Sequence, residues 1–220
     1  MMKNALLIIT GFVIGFFVML VITTNAYGLD APWTDRQVKS HSIAQTAREM
    51  GLMDDNPIIK EASRIWWEEQ AAADQKRAEA EADEEFLQSH YTDAVMMAKV
   101  MYCEAKCIAD KRELSMIAWT ILNRLDAGYG NSIPAIITAH NQFAYRKSAP
   151  TVNQCGVDLL ALAQDVLLRW QDEREGKQDV GRTLPKGYCF YYGDGHHNYF
   201  RTSDRGRGYI WFDGYGDPYV

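Results

Sequence analysis

The sequence predicts an α+β domain that is mainly helical and that follows an apolar amino-terminal segment and a helical stalk. Three observations indicate this organisation. Residues 5–22 carry no charge, residues 58–87 are rich in Glu, Ala, Lys and Gln, and beyond His90 apolar residues recur at helical spacing before short aromatic runs. We therefore divide the 220 residues into an apolar segment at 1–26, an acidic helical stalk at 27–89 and a compact domain at 90–220.

The apolar segment is long enough to nearly span a membrane. At about 1.5 Å per residue, residues 5–22 approach the roughly 30 Å thickness of a hydrocarbon core, so we expect an uncleaved membrane helix. Lys3 precedes it and Asp30 and Asp35 follow, which favours an inside amino terminus and an exported domain. Residues 24–26 resemble a signal cleavage site, so secretion after cleavage is the alternative. Both place the compact domain in the cell envelope or beyond.

The stalk has the composition of a long exposed helix. Residues 42–50 form a short amphipathic piece that Gly51 stops, and Pro57 is a typical first residue of the next helix. Trp66 and Trp67 are the large apolar pair of this stretch, so they are a candidate contact for a protein partner.

The charge is unevenly distributed. The formal net charge is −6, and residues 60–89 hold 4 basic and 9 acidic groups, whereas residues 90–220 hold 15 of each. The compact domain therefore lacks the basic surface typical of nucleic-acid-binding proteins, and we expect no nucleic-acid partner.

Within the compact domain, helices come first and a small β region follows. Thr92 is a candidate cap for a helix that runs to about Glu104, with a buried stripe of Ala94, Met97, Ala98, Met101 and Ala105. The other predicted elements are a helix at 114–125, a turn at 126–131, a short helix opened by Ser132 and Pro134, a helix at 156–175, and strands at 188–192 and 209–212 separated by a loop rich in Gly, His and Asn.

Glu104 is the candidate acid of the domain. Its neighbours on the same helix face are Met97, Met101 and Ile108, which disfavour a charged carboxylate and predict a raised pKa. A glutamic acid that stays neutral near pH 7 is typical of glycosidases. The alternative is a solvated glutamate beside an amphipathic face.

The four cysteines, Cys103, Cys107, Cys155 and Cys189, suit an oxidising compartment and allow three pairings that the sequence does not distinguish. Cys103 and Cys107 share a helix face if the helix continues through both. No further ligand is spaced for zinc, so we predict neither a metal nor another cofactor.

Four sequence segments together resemble the catalytic domain of the SleB-type cell wall hydrolase family, which includes the spore cortex-lytic enzymes. The resemblance covers roughly residues 92–212. Its segments are Ala98-x-x-Met101-Tyr102-x-Glu104-Ala105, Met116-Ile-Ala118-Trp119-x-Ile-Leu122-Asn123-Arg124, Asn141-Gln142-Phe143 and Gly195-His-His197-Asn198-Tyr-Phe200. The resemblance implies a lysozyme-like domain that cleaves the glycan strands of peptidoglycan, commonly as a lytic transglycosylase.

The family's catalytic glutamate corresponds to Glu104, and its Asn-Arg and Gln-Phe motifs correspond to residues 123–124 and 142–143. We expect substrate contacts from Asn123, Gln142, Phe143, Tyr192, His197 and Asn198. The family commonly continues Glu-Ala-Arg-Gly-Glu, whereas this chain has Glu104-Ala105-Lys106-Cys107-Ile108 and so lacks the second acid.

Losing that acid favours the one-carboxylate route of a transglycosylase over hydrolysis, which normally needs two carboxylates. Three alternatives stay open. The first is a muramidase-type hydrolase whose second carboxylate is Asp110, Glu113, Asp194 or Asp213. The second is a zinc amidase or peptidase that uses His196 and His197, and the third is a non-catalytic wall-binding protein. The sequence does not distinguish spore cortex, vegetative wall or a host wall as the substrate.

Overall fold

A computed structural model of the protein describes residues 56–204 and 216–220, together with positions 42, 45, 46 and 49–51. The chain divides into two compact units, residues 1–79 and 80–220. The predicted membrane segment at 1–26 lies outside the described residues, and no helix within the described part has the length and apolar character needed to cross a bilayer. The described positions between 42 and 49 are helical, as predicted, and Gly51 follows them with a φ of 75°.

Helix α1 (Pro57–Ser89) is the long helix predicted for the stalk, with 33 residues. It begins where the sequence predicts, because the Asn56 side chain accepts a hydrogen bond from the backbone N–H of Ile58 at 2.9 Å. The rings of Trp66 and Trp67 meet edge to face with centroids 4.5 Å apart, and Trp67 is 65% exposed. A protein partner at these tryptophans stays a prediction.

Four further helices form the second unit: α2 (Tyr91–Glu104), α3 (Lys111–Asp126), α4 (Ile133–Thr138) and α5 (Leu159–Arg174). Helix α2 packs against α3, α4 and α5, and α3 also contacts α4 and α5. The predicted stripe of α2 is buried throughout, and the largest buried side chains of the core include Trp119, Met97, Met101, Leu167 and Phe200. Burial of such apolar surface is the main source of the unit's stability.

Local capping sets the starts of three of these helices. The side chains of Asp110, Ser132 and Asp158 each accept hydrogen bonds from backbone N–H groups in the first turn of α3, α4 and α5. A cap of this kind is worth about 1 kcal/mol. The prediction that Thr92 caps α2 is wrong, because Tyr91 is already helical and His90 takes the cap position without a side-chain bond.

The β region is an antiparallel hairpin of β1 (Phe190–Gly193) and β2 (Asn198–Arg201), in which Tyr191 lies opposite Phe200. Strand β1 overlaps the strand predicted at 188–192. The prediction of a loop after β1 is wrong over residues 198–201, because these residues form β2. Buried Asn198 and Phe200 alternate with more exposed neighbours, as in any half-buried strand. Over four residues, this alternation is too short to stand out in the sequence. The strand predicted at 209–212 lies outside the described residues.

These findings establish the coarse fold class: a mainly helical α+β domain with a two-stranded sheet in its described part.

Candidate active site

Glu104 is the last residue of α2 and is partly buried. Its Oε1 accepts a hydrogen bond from the backbone N–H of Ala144 at 2.5 Å. Burial raises the pKa of Glu104, and the Ala144 N–H, the nearby Tyr191 hydroxyl and the Arg124 guanidinium each oppose that rise without cancelling it. The raised pKa predicted from the sequence is therefore confirmed in direction, and burial is its main cause.

Arg124 supplies a buried positive charge beside this carboxylate. It is 5% exposed, its Nε donates to the Cys189 carbonyl at 2.6 Å, and its Nη1 donates to Gln142 Oε1 at 3.0 Å. Its guanidinium lies 4.4 Å from the centroid of the Phe143 ring. Burial lowers the pKa of Arg124, but an arginine still keeps its proton under physiological conditions. The Cys189 carbonyl, the Gln142 side chain and the Phe143 ring together fix the position of the guanidinium.

Three consecutive residues after α4 hold this arrangement together. Gln142 bonds to Arg124, Phe143 stacks beneath it, and the main chain of Ala144 binds Glu104. Asn141 precedes them with a φ of 57°, a left-handed conformation that asparagine tolerates better than most residues. The structure thus places the predicted residues Gln142 and Phe143 against Arg124, directly before the residue that binds Glu104.

Tyr191 in β1 approaches the same carboxylate. Its hydroxyl oxygen is buried and has no well-aligned hydrogen-bond partner among the described residues. Burial raises the pKa of Tyr191 well above its usual value, and the negative charge of Glu104 adds to the rise. Its ring packs near Phe200 and Phe143, with centroids 5.6 and 6.3 Å away. The hydroxyl therefore stays protonated beside Glu104 at physiological pH.

Asn123 is buried at 2% exposure and is bonded entirely within the protein. Its Nδ2 donates to the carbonyls of Pro185 and Tyr188, both at 2.9 Å, and its Oδ1 accepts from Arg182 at 2.8 Å. These bonds tie α3 to the segment that leads into β1. Substrate binding by Asn123 stays a prediction, while its observed contacts are those of a structural amide.

Asn198 and His197, at the start of β2, meet a buried carboxylate on α3. Glu113 is 2% exposed, and its Oε1 accepts hydrogen bonds from the backbone N–H and the Nδ2 of Asn198 at 2.6 and 2.9 Å. Its Oε2 lies 3.2 Å from Nδ1 of His197, whose side chain is 55% exposed. These contacts anchor the hairpin on α3. His197 and the 53% exposed Tyr192 still face solvent, so contact with a ligand stays a prediction for both.

The candidate second carboxylates have other partners. Asp110 caps α3, Glu113 binds the hairpin, and Asp194 accepts from the backbone N–H groups of His196 and His197 and from the Tyr199 hydroxyl. Those donors hold the pKa of the exposed Asp194 at about 2. The last candidate, Asp213, lies outside the described residues.

An open cleft of about 470 Å³ adjoins the Arg124 side of the site. Arg124, Gln142, Tyr129 and Phe190 line it, and Glu104 does not. A cleft of about 560 Å³ elsewhere is lined by residues such as Glu173, Lys177 and Pro218 and shares no residue with the surroundings of Glu104. Among the described residues, no cluster of three or more His, Cys, Asp or Glu side chains is arranged to hold a metal ion.

Sequence reasoning named Glu104, Gln142 and Phe143 but missed two of the groups that influence the pKa of the carboxyl group, Arg124 and Tyr191. Arg124 was present in a recognised motif without an assigned role, and Tyr191 stood in an aromatic run as one residue among several. The Ala144 contact uses the main chain, so no residue type indicates it.

The fold and the site define a mainly helical α+β domain with a partly buried glutamic acid that accepts a hydrogen bond from a backbone N–H and lies in the field of a buried arginine. Comparison with protein-family models, curated proteins and solved structures gives no match to this chain.

Proposed function

We propose that this chain cleaves the glycan strands of peptidoglycan as a lytic transglycosylase, with Glu104 as its catalytic acid and base. We further propose that it has a lysozyme-like domain of the SleB-type cell wall hydrolase class and acts in the cell envelope. The observation that carries the proposal is the state of Glu104: a partly buried carboxyl group with a raised pKa, held by the Ala144 N–H beside Arg124.

The reaction needs one carboxyl group that is first neutral and then anionic. Neutral Glu104 protonates the oxygen that joins N-acetylmuramic acid to N-acetylglucosamine, and the bond between that oxygen and the muramyl anomeric carbon breaks. Anionic Glu104 then takes the proton of the muramyl C6 hydroxyl, whose oxygen bonds to the anomeric carbon. The products are a 1,6-anhydro-muramic end and a free N-acetylglucosamine end, and Glu104 is neutral again.

The surroundings of Glu104 suit both halves of this cycle. Burial favours the neutral acid before the first transfer, whereas Arg124, Ala144 N–H and Tyr191 favour the anion that follows it. Opposing influences of this kind suit a group that first gives up a proton and later takes one back.

The hydrogen bonds that the other carboxylates already accept support the one-carboxylate route. Asp110, Glu113 and Asp194 each accept at least two hydrogen bonds that hold a helix start or the hairpin. A nucleophile or a base for water has to be available to the sugar, and these groups are committed to the fold. Among the three candidates that the structure describes, the geometry therefore supports transglycosylation over two-carboxylate hydrolysis, and Asp213 lies outside the described residues.

The test is a digest of purified peptidoglycan by the full-length chain in detergent, analysed by mass spectrometry. The variant is Glu104→Gln, whose amide oxygen can still accept from the Ala144 N–H. The matched control is Glu175→Gln, which changes an exposed glutamate at the end of α5. We expect 1,6-anhydro ends from the parent and from the control, and none from Glu104→Gln.

The other outcomes contradict specific parts of the proposal. Reducing muramic ends would establish hydrolysis and require a second carboxylate. Anhydro ends from Glu104→Gln would remove Glu104 from the chemistry. Wall binding by the parent without any cleavage would leave a non-catalytic envelope protein.

A further inference from the structure

Two exposed cysteines, Cys107 and Cys155, lie at a contact between two loops. The first loop follows Glu104 and includes residues 105–108, and the second precedes α5 and includes residues 153–157. Both thiols are free in this structure.

Buried Asn153, at 5% exposure, organises the contact. Its Nδ2 donates to the Ile108 carbonyl at 2.6 Å, while its Oδ1 accepts from the backbone N–H groups of Cys155 and Val157 at 3.0 and 2.9 Å. The backbone N–H of Gln154 donates to the Lys106 carbonyl at 3.2 Å. These bonds fix the main chains on either side of both cysteines.

The two cysteines touch directly. Sγ of Cys155 is 3.0 Å from the carbonyl oxygen of Cys107, and Sγ of Cys107 is 3.1 Å from Oε1 of Gln154. A sulfur atom this close to the main chain of another cysteine is within reach of that cysteine's own sulfur after a side-chain rotation.

The other thiols are placed differently. Cys103 lies within α2, which ends at Glu104, so Cys103 and Cys107 do not share one helix face. Cys189 is 3% exposed, and its carbonyl is bound by Arg124. Among the described residues, neither of these thiols forms a hydrogen bond with a loop cysteine, so the contact between Cys107 and Cys155 favours one pairing among the three that four cysteines allow.

We propose that Cys107 and Cys155 are a redox pair that closes to a disulfide. The oxidant is a disulfide of a small thiol or of a thiol oxidoreductase. One cysteine attacks the oxidant as its thiolate and forms a mixed disulfide, and the first thiol of the oxidant leaves. The second cysteine then attacks the sulfur of the first cysteine in this mixed disulfide, and the second thiol of the oxidant leaves. The two protons of the cysteines pass to the two leaving groups, so the pair loses two electrons and the oxidant gains them.

The bond links positions 48 apart in sequence. The closed loop contains α3, α4 and the Gln142–Ala144 segment, and it begins three residues after Glu104. The disulfide therefore joins the residues just after Glu104 to the loop that follows the Gln142–Ala144 segment. This inference is independent of the proposed function, because it concerns the thiols and not the fate of a sugar.

The experiment treats the full-length chain in detergent with oxidised glutathione, blocks the remaining thiols by alkylation, and maps the proteolytic peptides by mass spectrometry. We expect a peptide that links Cys107 to Cys155 and that dithiothreitol separates. Cys107→Ser and Cys155→Ser should each lose the link and leave the remaining loop cysteine glutathionylated. The control Cys103→Ser, which removes a partly buried thiol outside the contact, should keep it.

Two results would overturn the proposal. One is a parent protein in which Cys107 and Cys155 each carry glutathione and never a shared bond. The other is a link from either residue to Cys103 or Cys189. Circular dichroism of the serine variants establishes that a lost link reflects the missing sulfur and not an unfolded chain.

Discussion

Tyr191→Phe removes a single oxygen atom from the wall of the candidate active site. The ring remains, with its contacts to Phe200 and Phe143 at centroid distances of 5.6 and 6.3 Å. The oxygen that is lost is buried and has no well-aligned hydrogen-bond partner among the described residues, although it lies beside the Glu104 carboxylate. The substitution therefore separates the effect of that hydroxyl on the free energy of unfolding from its effect on the pKa of Glu104.

The expected effect on stability is a gain. A buried hydroxyl without a well-aligned partner costs on the order of 1–3 kcal/mol, and its weak interaction with Glu104 recovers part of this. We expect Tyr191→Phe to raise the free energy of unfolding by about 1 kcal/mol, and the Tm by roughly 2–4 °C for a unit of this size.

The expected effect on Glu104 is a further rise of its pKa, because the Tyr191 hydroxyl is one of the groups that lower it. The neutral acid then persists to higher pH. If Glu104 is the proton donor, the pH at which cleavage declines on the alkaline side moves upward in the variant.

Thermal unfolding and the pH dependence of cleavage measure the two effects in the same preparation. The control for stability is Tyr129→Phe, which removes a hydroxyl from a residue that is 56% exposed and should leave the free energy of unfolding nearly unchanged. A loss of more than about 1 kcal/mol for Tyr191→Phe would refute the reasoning, because it would mean that the hydroxyl forms a strong bond to Glu104. A downward move of the alkaline limit would refute the second part.

Three further predictions follow from the same contacts. Asn123→Ala breaks three hydrogen bonds worth about 1 kcal/mol each, so the free energy of unfolding measured by urea denaturation should fall by about 3 kcal/mol. The control Asn131→Ala, in an exposed turn, should change it little. Cleavage by the parent should fall as the pH rises through the Glu104 pKa, which burial places above that of an ordinary glutamate, and a profile that falls only on the acid side would contradict this. The Asp194 carboxyl should titrate at about 2 by carbon NMR. Because this pKa is depressed, the hairpin stability that Asp194 contributes is complete above its unfolded pKa of about 3.9 and is lost as the pH falls through about 2, and a midpoint near 3.9 would show that the three hydrogen bonds are absent in solution.

The helices were predictable because their signals are local. Asn56 and Ser132 cap the helices they precede, and the turn after Asp126 follows from its glycines. The cap of α2 was missed because His90 occupies that position through the backbone alone, with its ring stacked on Phe86 at 4.2 Å. Propensity favoured Thr92, which is two residues after the observed cap position.

The second strand was missed because its evidence is not local. Asn198 and Phe200 are buried because Glu113, 85 positions away, binds Asn198 and because Tyr191 lies across the ladder from Phe200. Neither relationship can be read from four residues that histidine precedes and threonine follows. Strand pairing over such distances is decided by tertiary contacts.

The candidate site was predictable where side chains define it. Glu104 and the Gln142–Phe143 pair were named from their types and order; Gln142 and Phe143 contact Arg124, and the next residue, Ala144, donates its backbone N–H to Glu104. Asn123 bonds to backbone carbonyls, and the sequence could not indicate this, because an asparagine that binds carbonyls inside the protein has the same sequence appearance as one that binds an acetamido group. Only the partners of the amide distinguish the two.

The bond from Ala144 to Glu104 is made by the main chain, and this affects how the protein can change over generations. A side-chain donor at this place would be lost through many different single substitutions. A backbone donor is present in nineteen of the twenty residue types, and proline alone lacks it. As far as this bond is concerned, position 144 is free to drift while the contact to the carboxylate persists, so a group of related sequences can share the contact and yet show no common residue there.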